Sequence, residues 1–212
     1  VVHRVIDLSA GAVPPVPRVL TGDHLLPLVG RERHVERLTH SWHRARAGDA
    51  SLVLVSGSPG LGKTRLVSHA AAIAHAEGAI VLAGTCDSDL AVPYDPFAMA
   101  FRDVANLDDA LASAMSQRSG SLARLFPGST SSHAEIQPAM ARFELFDAVV
   151  ALVRRLTRLH LGVLVVDDIQ WATAPTLLLL QHLVQELPDA RLLLVATYRD
   201  EDLAPAHPAR EL

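Results

Sequence analysis

Lysine is almost missing from this sequence. Of its 19 basic residues one is a lysine, Lys63, and the rest are arginines. There is a single cysteine, Cys86, so no internal disulfide can form, which fits a reducing compartment. Net charge is low as well, at −4, and gives no general attraction to nucleic acid or acidic membranes. No apolar run reaches the length of a membrane span and no signal-peptide pattern is present, so the expected localisation is cytoplasmic. The sequence opens on Val1 rather than Met, which reads as a piece of a longer chain. What the sequence does have is apolar content. Half of its 212 residues are hydrophobic, enough for the core of one large domain.

The lone lysine stands in Gly57-Ser58-Pro59-Gly60-Leu61-Gly62-Lys63-Thr64, which fits the phosphate-loop pattern G-x-x-x-x-G-K-[ST]. The preceding Ser51-Leu52-Val53-Leu54-Val55-Ser56 reads as a buried strand. Behind the loop, Leu66, Val67, Ala70, Ile73 and Ala74 follow helical spacing. Strand, glycine loop and helix together form a phosphate cradle. Gly57, Gly60 and Gly62 let successive backbone N–H groups turn inward, and the helix start adds the positive end of its dipole. Lys63 is the candidate for the β- and γ-phosphates, and the Thr64 hydroxyl for Mg²⁺. In a chain that otherwise draws its positive charge from arginine, a compact ammonium at this one position fits a point contact to phosphate.

The rest of the chain organises around that loop. Residues 1–27 read as a linker, broken by Pro14, Pro15 and Pro17. Gly30 turns into a helix over about 31–47, with Val35, Leu38 and Trp42 on one face. His40 and His43 on this helix are close enough to share a metal, but no further ligand cluster accompanies them. Ala79 to Thr85 reads as a second strand. Residues 87–140 read as a helical insertion. It has a helix from Pro93 to about 106 using Phe97, Met99, Phe101 and Val104, and a second near 108–116 that gives way to Ser119-Gly120-Ser121. Residues 138–159 read as a long helix carrying Phe143, Phe146, Val149, Val150, Val153 and Leu156.

The second half of the candidate site follows. Leu161 to Asp168 is a near-continuous apolar run ending in two acids, which suits a strand buried on both faces of a parallel sheet. Asp167 is the candidate for the Mg²⁺ shell and Asp168 for polarising an attacking water. Thr173 reads as the N-cap of a helix to about residue 187. A fourth strand over 191–197 ends at Thr197-Tyr198-Arg199-Asp200, on the edge where open α/β sheets bind ligands. Thr197 is a candidate partner of the attacking water or γ-phosphate, and Arg199 a candidate sensor of γ-phosphate charge. Residues 204–212 read as a connection leaving the domain, which spans 28–203.

With LVGRER at 28–33, GSPGLGKT at 57–64, VLVVDDIQWA at 163–172 and LLLVATYRDE at 192–201, the sequence resembles the signal-transduction ATPases with numerous domains. Among these it is most similar to the ATPase domain of the large ATP-binding regulators of the LuxR type. The resemblance implies an α/β fold, a three-layer P-loop NTPase sandwich with a parallel sheet in the order 5-1-4-3-2. Four strands are visible here, so the fifth, a lid and a DNA-binding helix-turn-helix are expected beyond residue 212. It also implies a switch that binds ATP and ADP with Mg²⁺ and hydrolyses ATP slowly. Gly30 and Arg31 would lie near the adenine. The implied partners are an inducer or regulatory protein, DNA only through the further domain, and other copies of the full-length protein in a nucleotide-dependent manner, with no membrane. Three other readings remain beside it. They are a mechanical or DNA-loading ATPase of the origin-recognition type, a small-molecule kinase, and a non-catalytic nucleotide-binding fragment.

Overall fold

The computed structural model describes residues 13–21, 28–89, 91–102, 104, 107, 113, 119–125, 138–203 and 207–212. Four strands form one sheet: β1 (Ser51–Ser56), β2 (Ala79–Thr85), β3 (Leu161–Asp167) and β4 (Leu192–Tyr198), in the order β1-β4-β3-β2 and all parallel. The helices are α1 (Glu32–Arg46), α2 (Lys63–Ala76), α3 (Asp95–Phe101), α4 (Pro138–Leu159) and α5 (Ala174–Glu186).

The three-layer arrangement follows from alternation along the strands. Successive side chains of a strand point to opposite faces. On one face Val81, Ala83, Val163, Val165, Leu193 and Val195 pack with Leu38 and Trp42 of α1 and Leu66 and Val67 of α2. On the other, Ile80, Leu82, Leu164, Val166, Leu192 and Leu194 pack with α3, α4 and α5. Strands apolar on both faces need helices on both sides, which is why β2, β3 and β4 read as unbroken hydrophobic runs. β1 is different. It lies at the end of the sheet, and Leu54 at its middle is 37 % exposed.

Several boundaries differ from the sequence reading. In the stretch read as a linker, Pro17 leads into a 3-10 turn, Arg18–Leu20, whose Leu20 is buried with Trp42 and Ala79. Ser119–Leu122 is a helical turn rather than a break, because Leu122 and Leu125 anchor it in the core. Phe143 is 57 % exposed. The inward face of α4 is taken by Leu145, Phe146, Val149, Leu152, Val153 and Leu156, and Phe143 projects from its flank. Met99 is likewise exposed, while Phe97, Phe101 and Val104 are buried. The expected helix near 108–116 lies almost wholly outside the described residues, as does the end of the preceding one. Thr173 occupies the N-cap of α5, but its hydroxyl pairs with Thr176 Oγ1 at 2.9 Å and not with a helix N–H. At 207–212 the chain turns back, and Ala209 is buried against the core.

Two contacts tie α1 and α2 together. Trp42 Nε1 donates to Glu77 Oε2 at 3.0 Å, and Arg46 reaches the same oxygen at 2.9 Å. His43, one of the two histidines weighed as metal ligands, also faces Glu77, with Nε2 3.4 Å from Oε1. Parallel pairing puts all four carboxyl ends on one edge of the sheet. Because β4 lies between β1 and β3, its end lies between the glycine loop and the two acids.

Candidate functional site

The loop after β1 is closed by glycine geometry. Gly60 and Gly62 both have φ of 76°, a region that L side chains enter at a cost, and Gly62 in that conformation is the N-cap of α2. Lys63 is therefore the first residue of the helix, with its ammonium folded back over the loop. Its Nζ donates to Gly57 O at 2.7 Å and Ser58 O at 3.2 Å. Pro59, Gly60 and Leu61 form the exposed outer turn.

One residue on, Thr64 meets the end of β3. Its Oγ1 lies 3.0 Å and 3.3 Å from the two carboxylate oxygens of Asp167. Thr197 approaches the same carboxylate from β4, with Oγ1 donating to Asp167 Oδ1 at 2.6 Å. The Thr197 oxygen in turn accepts from the Asp168 backbone N–H at 2.9 Å. Thr197 does not face outward as a partner for water or γ-phosphate: it is fully buried, and its one proton is given to Asp167. Its contacts orient the two acids.

Asp167 is 5 % exposed. Burial pushes its carboxyl above the usual range. Hydrogen bonds from Thr197 and Thr64 pull it down, neighbouring Asp168 adds to the rise, and Lys63 opposes it. The buried Asp167 carboxylate and the Thr64 hydroxyl beside it are oxygen donors of the kind a hard divalent cation prefers. Thr85, opposite Asp167 in the register, has a buried hydroxyl without a partner among the described residues, so the polar surface there is not yet satisfied by protein.

Asp168 leaves the sheet. Its φ of 57° turns the chain sharply after β3, a conformation aspartate tolerates better than most residues. Arg199 NH2 lies 3.7 Å from Asp168 Oδ2, and Arg199 NH1 lies 3.7 Å from Asp202 Oδ2. At these distances the guanidinium is held between two acids without a short bond to either, so it retains donors for a third anion.

The remaining candidates reach the loop from outside. Gly30 is turned at φ 72°, its N–H donating to Glu32 Oε1 at 3.1 Å, and Arg31 NH2 donates to Leu61 O at 3.0 Å. The start of α1 is thereby fastened to the phosphate loop. Two residues escaped the sequence reading. Glu201, after β4, accepts at Oε1 from Ser58 Oγ of the loop at 2.5 Å. Gln170 bridges Asp168 to the backbone N–H of Arg199. Both lie inside motifs already singled out, but nothing in their spacing marked them. Cys86 adjoins the acids, and its surroundings disfavour the thiolate. Desolvation, then the charges of Asp167, Asp168 and Asp95, push its thiol up to about 12.

The sequence pattern of the AAA ATPase domain family matches residues 27–195. This chain belongs to that family. The match takes in the phosphate loop, both acids and most of β4, and the parallel sheet with helices on both faces is a P-loop NTPase fold of AAA+ type. No curated protein matches the chain. Among solved structures it is similar to that of C. elegans PCH-2, at 11 % identity and a TM-score of 0.44, over 84 % of this chain and 39 % of that one. An AAA ATPase domain is a nucleotide-binding unit. In this one Gly57 to Thr64 are the residues that would hold the phosphates, and Thr64 with Asp167 those that would hold Mg²⁺.

Proposed function

We propose that the chain is the nucleotide-binding switch module of a multidomain transcriptional regulator of the LuxR type, binding Mg-ATP and hydrolysing it slowly. The observation that carries the nucleotide reading is the meeting of Thr64 with Asp167. It joins segments 103 residues apart at hydrogen-bond distance, directly beside Lys63. Loop N–H groups and the α2 dipole favour the phosphates, and Lys63 supplies the charge. Bound at Thr64 and Asp167, Mg²⁺ would supply charge neutralisation on the β- and γ-phosphates.

In the hydrolytic step a water oxygen forms a bond to the γ-phosphorus. The bond to the bridging oxygen breaks, and its electron pair leaves on the β-phosphate of ADP. Asp168 orients the water and takes its proton, which then passes to the phosphate product. Arg199 faces the γ-phosphate charge. Such a group separates ATP from ADP because only one of the two presents that charge, and a switch responds only to such differential affinity. Arg31, which is fastened to Leu61 O, and its neighbour Gly30 are the residues expected nearest the base.

The regulator context rests on the DDIQWA and ATYRDE stretches, and the family match is also compatible with a mechanical or DNA-loading ATPase. The −4 charge favours the switch. One experiment addresses both points. Asp168→Asn should bind MgATP within about threefold of the parent and turn it over about a hundredfold more slowly, the range of a lost general base. Turnover at the parent rate removes this acid from the chemistry. Duplex DNA added to the parent chain should leave turnover unchanged, whereas DNA-stimulated hydrolysis supports the mechanical ATPase.

A further inference from the structure

Gln170 is a buried polar side chain that none of the roles above employs. It is 5 % exposed, in the 3-10 turn Ile169–Trp171 that follows Asp168. Both ends of its amide are engaged. Nε2 donates to Asp168 Oδ1 at 3.0 Å, and Oε1 accepts from the Arg199 backbone N–H at 3.2 Å. Only one amide orientation serves both partners. Reversed, its carbonyl would face a carboxylate and its NH2 a backbone N–H. A glutamate here would keep the acceptor for Arg199 and set a second carboxylate against Asp168. A leucine would keep the approximate volume and lose both bonds.

The geometry of Asp168 explains what this bond accomplishes. The residue stands at φ 57°, outside the strand, where the sheet no longer dictates its side chain. Its backbone is pinned through Thr197, and one carboxylate oxygen is pinned by Gln170. The other, Oδ2, is left facing the Arg199 guanidinium at 3.7 Å. The same amide fixes the first residue after β4, from which that guanidinium extends.

We propose that Gln170 is a positioning residue for ATP hydrolysis. By bonding Asp168 Oδ1 and the Arg199 N–H it sets Oδ2 toward the attacking water and keeps the γ-phosphate sensor in the same frame. This rests on the hydrolytic roles given above to Asp168 and Arg199. Both ends of the Gln170 amide are taken by Asp168 and the Arg199 N–H, so it acts through them on the rate of the chemical step and not on ground-state affinity.

The test compares the parent chain with Gln170→Leu, Gln170→Glu, Asp168→Asn and the Asp168→Asn/Gln170→Leu double variant. The readouts are kcat and KM for MgATP, MgADP affinity by calorimetry, and melting temperature. Gln170→Leu and Gln170→Glu should each lower kcat at least about tenfold, with KM and MgADP affinity within about threefold of the parent. In the Asp168→Asn background Gln170→Leu should cost clearly less than in the parent, because one of the two groups it positions is gone. An undiminished extra loss in that background overturns the proposal, as does parent kcat in Gln170→Leu. In the latter case a slow Asp168→Asn leaves the hydrolytic reading standing. Parent turnover in Asp168→Asn instead sinks that reading, and the proposal with it. If Gln170→Leu also loses MgADP binding or melts far below the parent, Gln170→Glu decides: parent kcat there overturns the proposal, and a selective fall in kcat supports it.

Discussion

Replacing Lys63 by alanine should reduce MgATP affinity on the order of a hundredfold or more, with little change in melting temperature. The ammonium is the only lysine charge in the chain, and it lies folded over the loop on Gly57 O and Ser58 O. Charge-assisted hydrogen bonds contribute roughly 1.5–3 kcal/mol each. Two such bonds to phosphate oxygens amount to about 3–6 kcal/mol, or two to four orders of magnitude in affinity. The fold should survive because Lys63 lies at the first position of α2 and bonds only loop carbonyls, which can turn to water. Arginine should not restore binding. Its planar fork is larger, and the cradle suits a compact charge. Calorimetry with MgATP checks all three points. Parent affinity in Lys63→Ala would remove the loop from nucleotide binding.

The second large effect concerns stability. Gly84→Ala should destabilise the chain by about 3 kcal/mol or more, the upper part of the range for overpacked cores. Gly84 lies in β2 where α3 crosses it, and a methyl group there would stand 1.9 Å from the Pro96 carbonyl oxygen and 2.5 Å from its carbon. These are backbone atoms, so no rotamer relieves the clash. For a chain of this size the loss corresponds to a fall in melting temperature of roughly 6–12 °C. Gly162→Ala in neighbouring β3 is the internal control. Its nearest atom is Leu192 Cδ1 at 3.2 Å, the end of a flexible side chain, so the cost there should be much smaller. Equal melting of the two variants would show that the close approach of α3 to β2 is not needed. The contact also bears on the site. β2 leads into Cys86, whose N–H donates to Asp167 O at 2.9 Å, so displacing β2 disturbs the strand that carries Asp167.

Much of this architecture was legible in the sequence, for physical reasons. The strands β2, β3 and β4 are covered on both faces, so they appear as apolar runs, and each was placed to within about a residue of its ends. The loop was legible because phosphate cradling demands glycine and lysine at fixed offsets. Asp167 stood out because two acids close an apolar run, and the structure brings it to Thr64 and Thr197. The losses have a common cause, which is that local pattern does not specify the neighbour. Phe143 has core chemistry and helical spacing, yet the flank it lies on meets no layer. Ser119–Leu122 carries break residues, but Leu122 and Leu125 find core partners and hold the turn. Thr197 was expected to face a ligand because it ends a strand. Pairing of β4 between β1 and β3 instead buries it, and its proton goes to Asp167. Gln170 and Glu201 act across the gap between strands, where sequence distance carries no information.

The central claim is that Gly57 to Thr64, together with Asp167, forms one Mg-nucleotide site. Calorimetric titration of the unaltered chain with ATP, once in Mg²⁺ and once in EDTA, tests it most directly. Binding should saturate at one nucleotide per chain, tighten when Mg²⁺ is present and lose that gain in Asp167→Asn. The same affinity with and without Mg²⁺, or no binding in either, would contradict the claim.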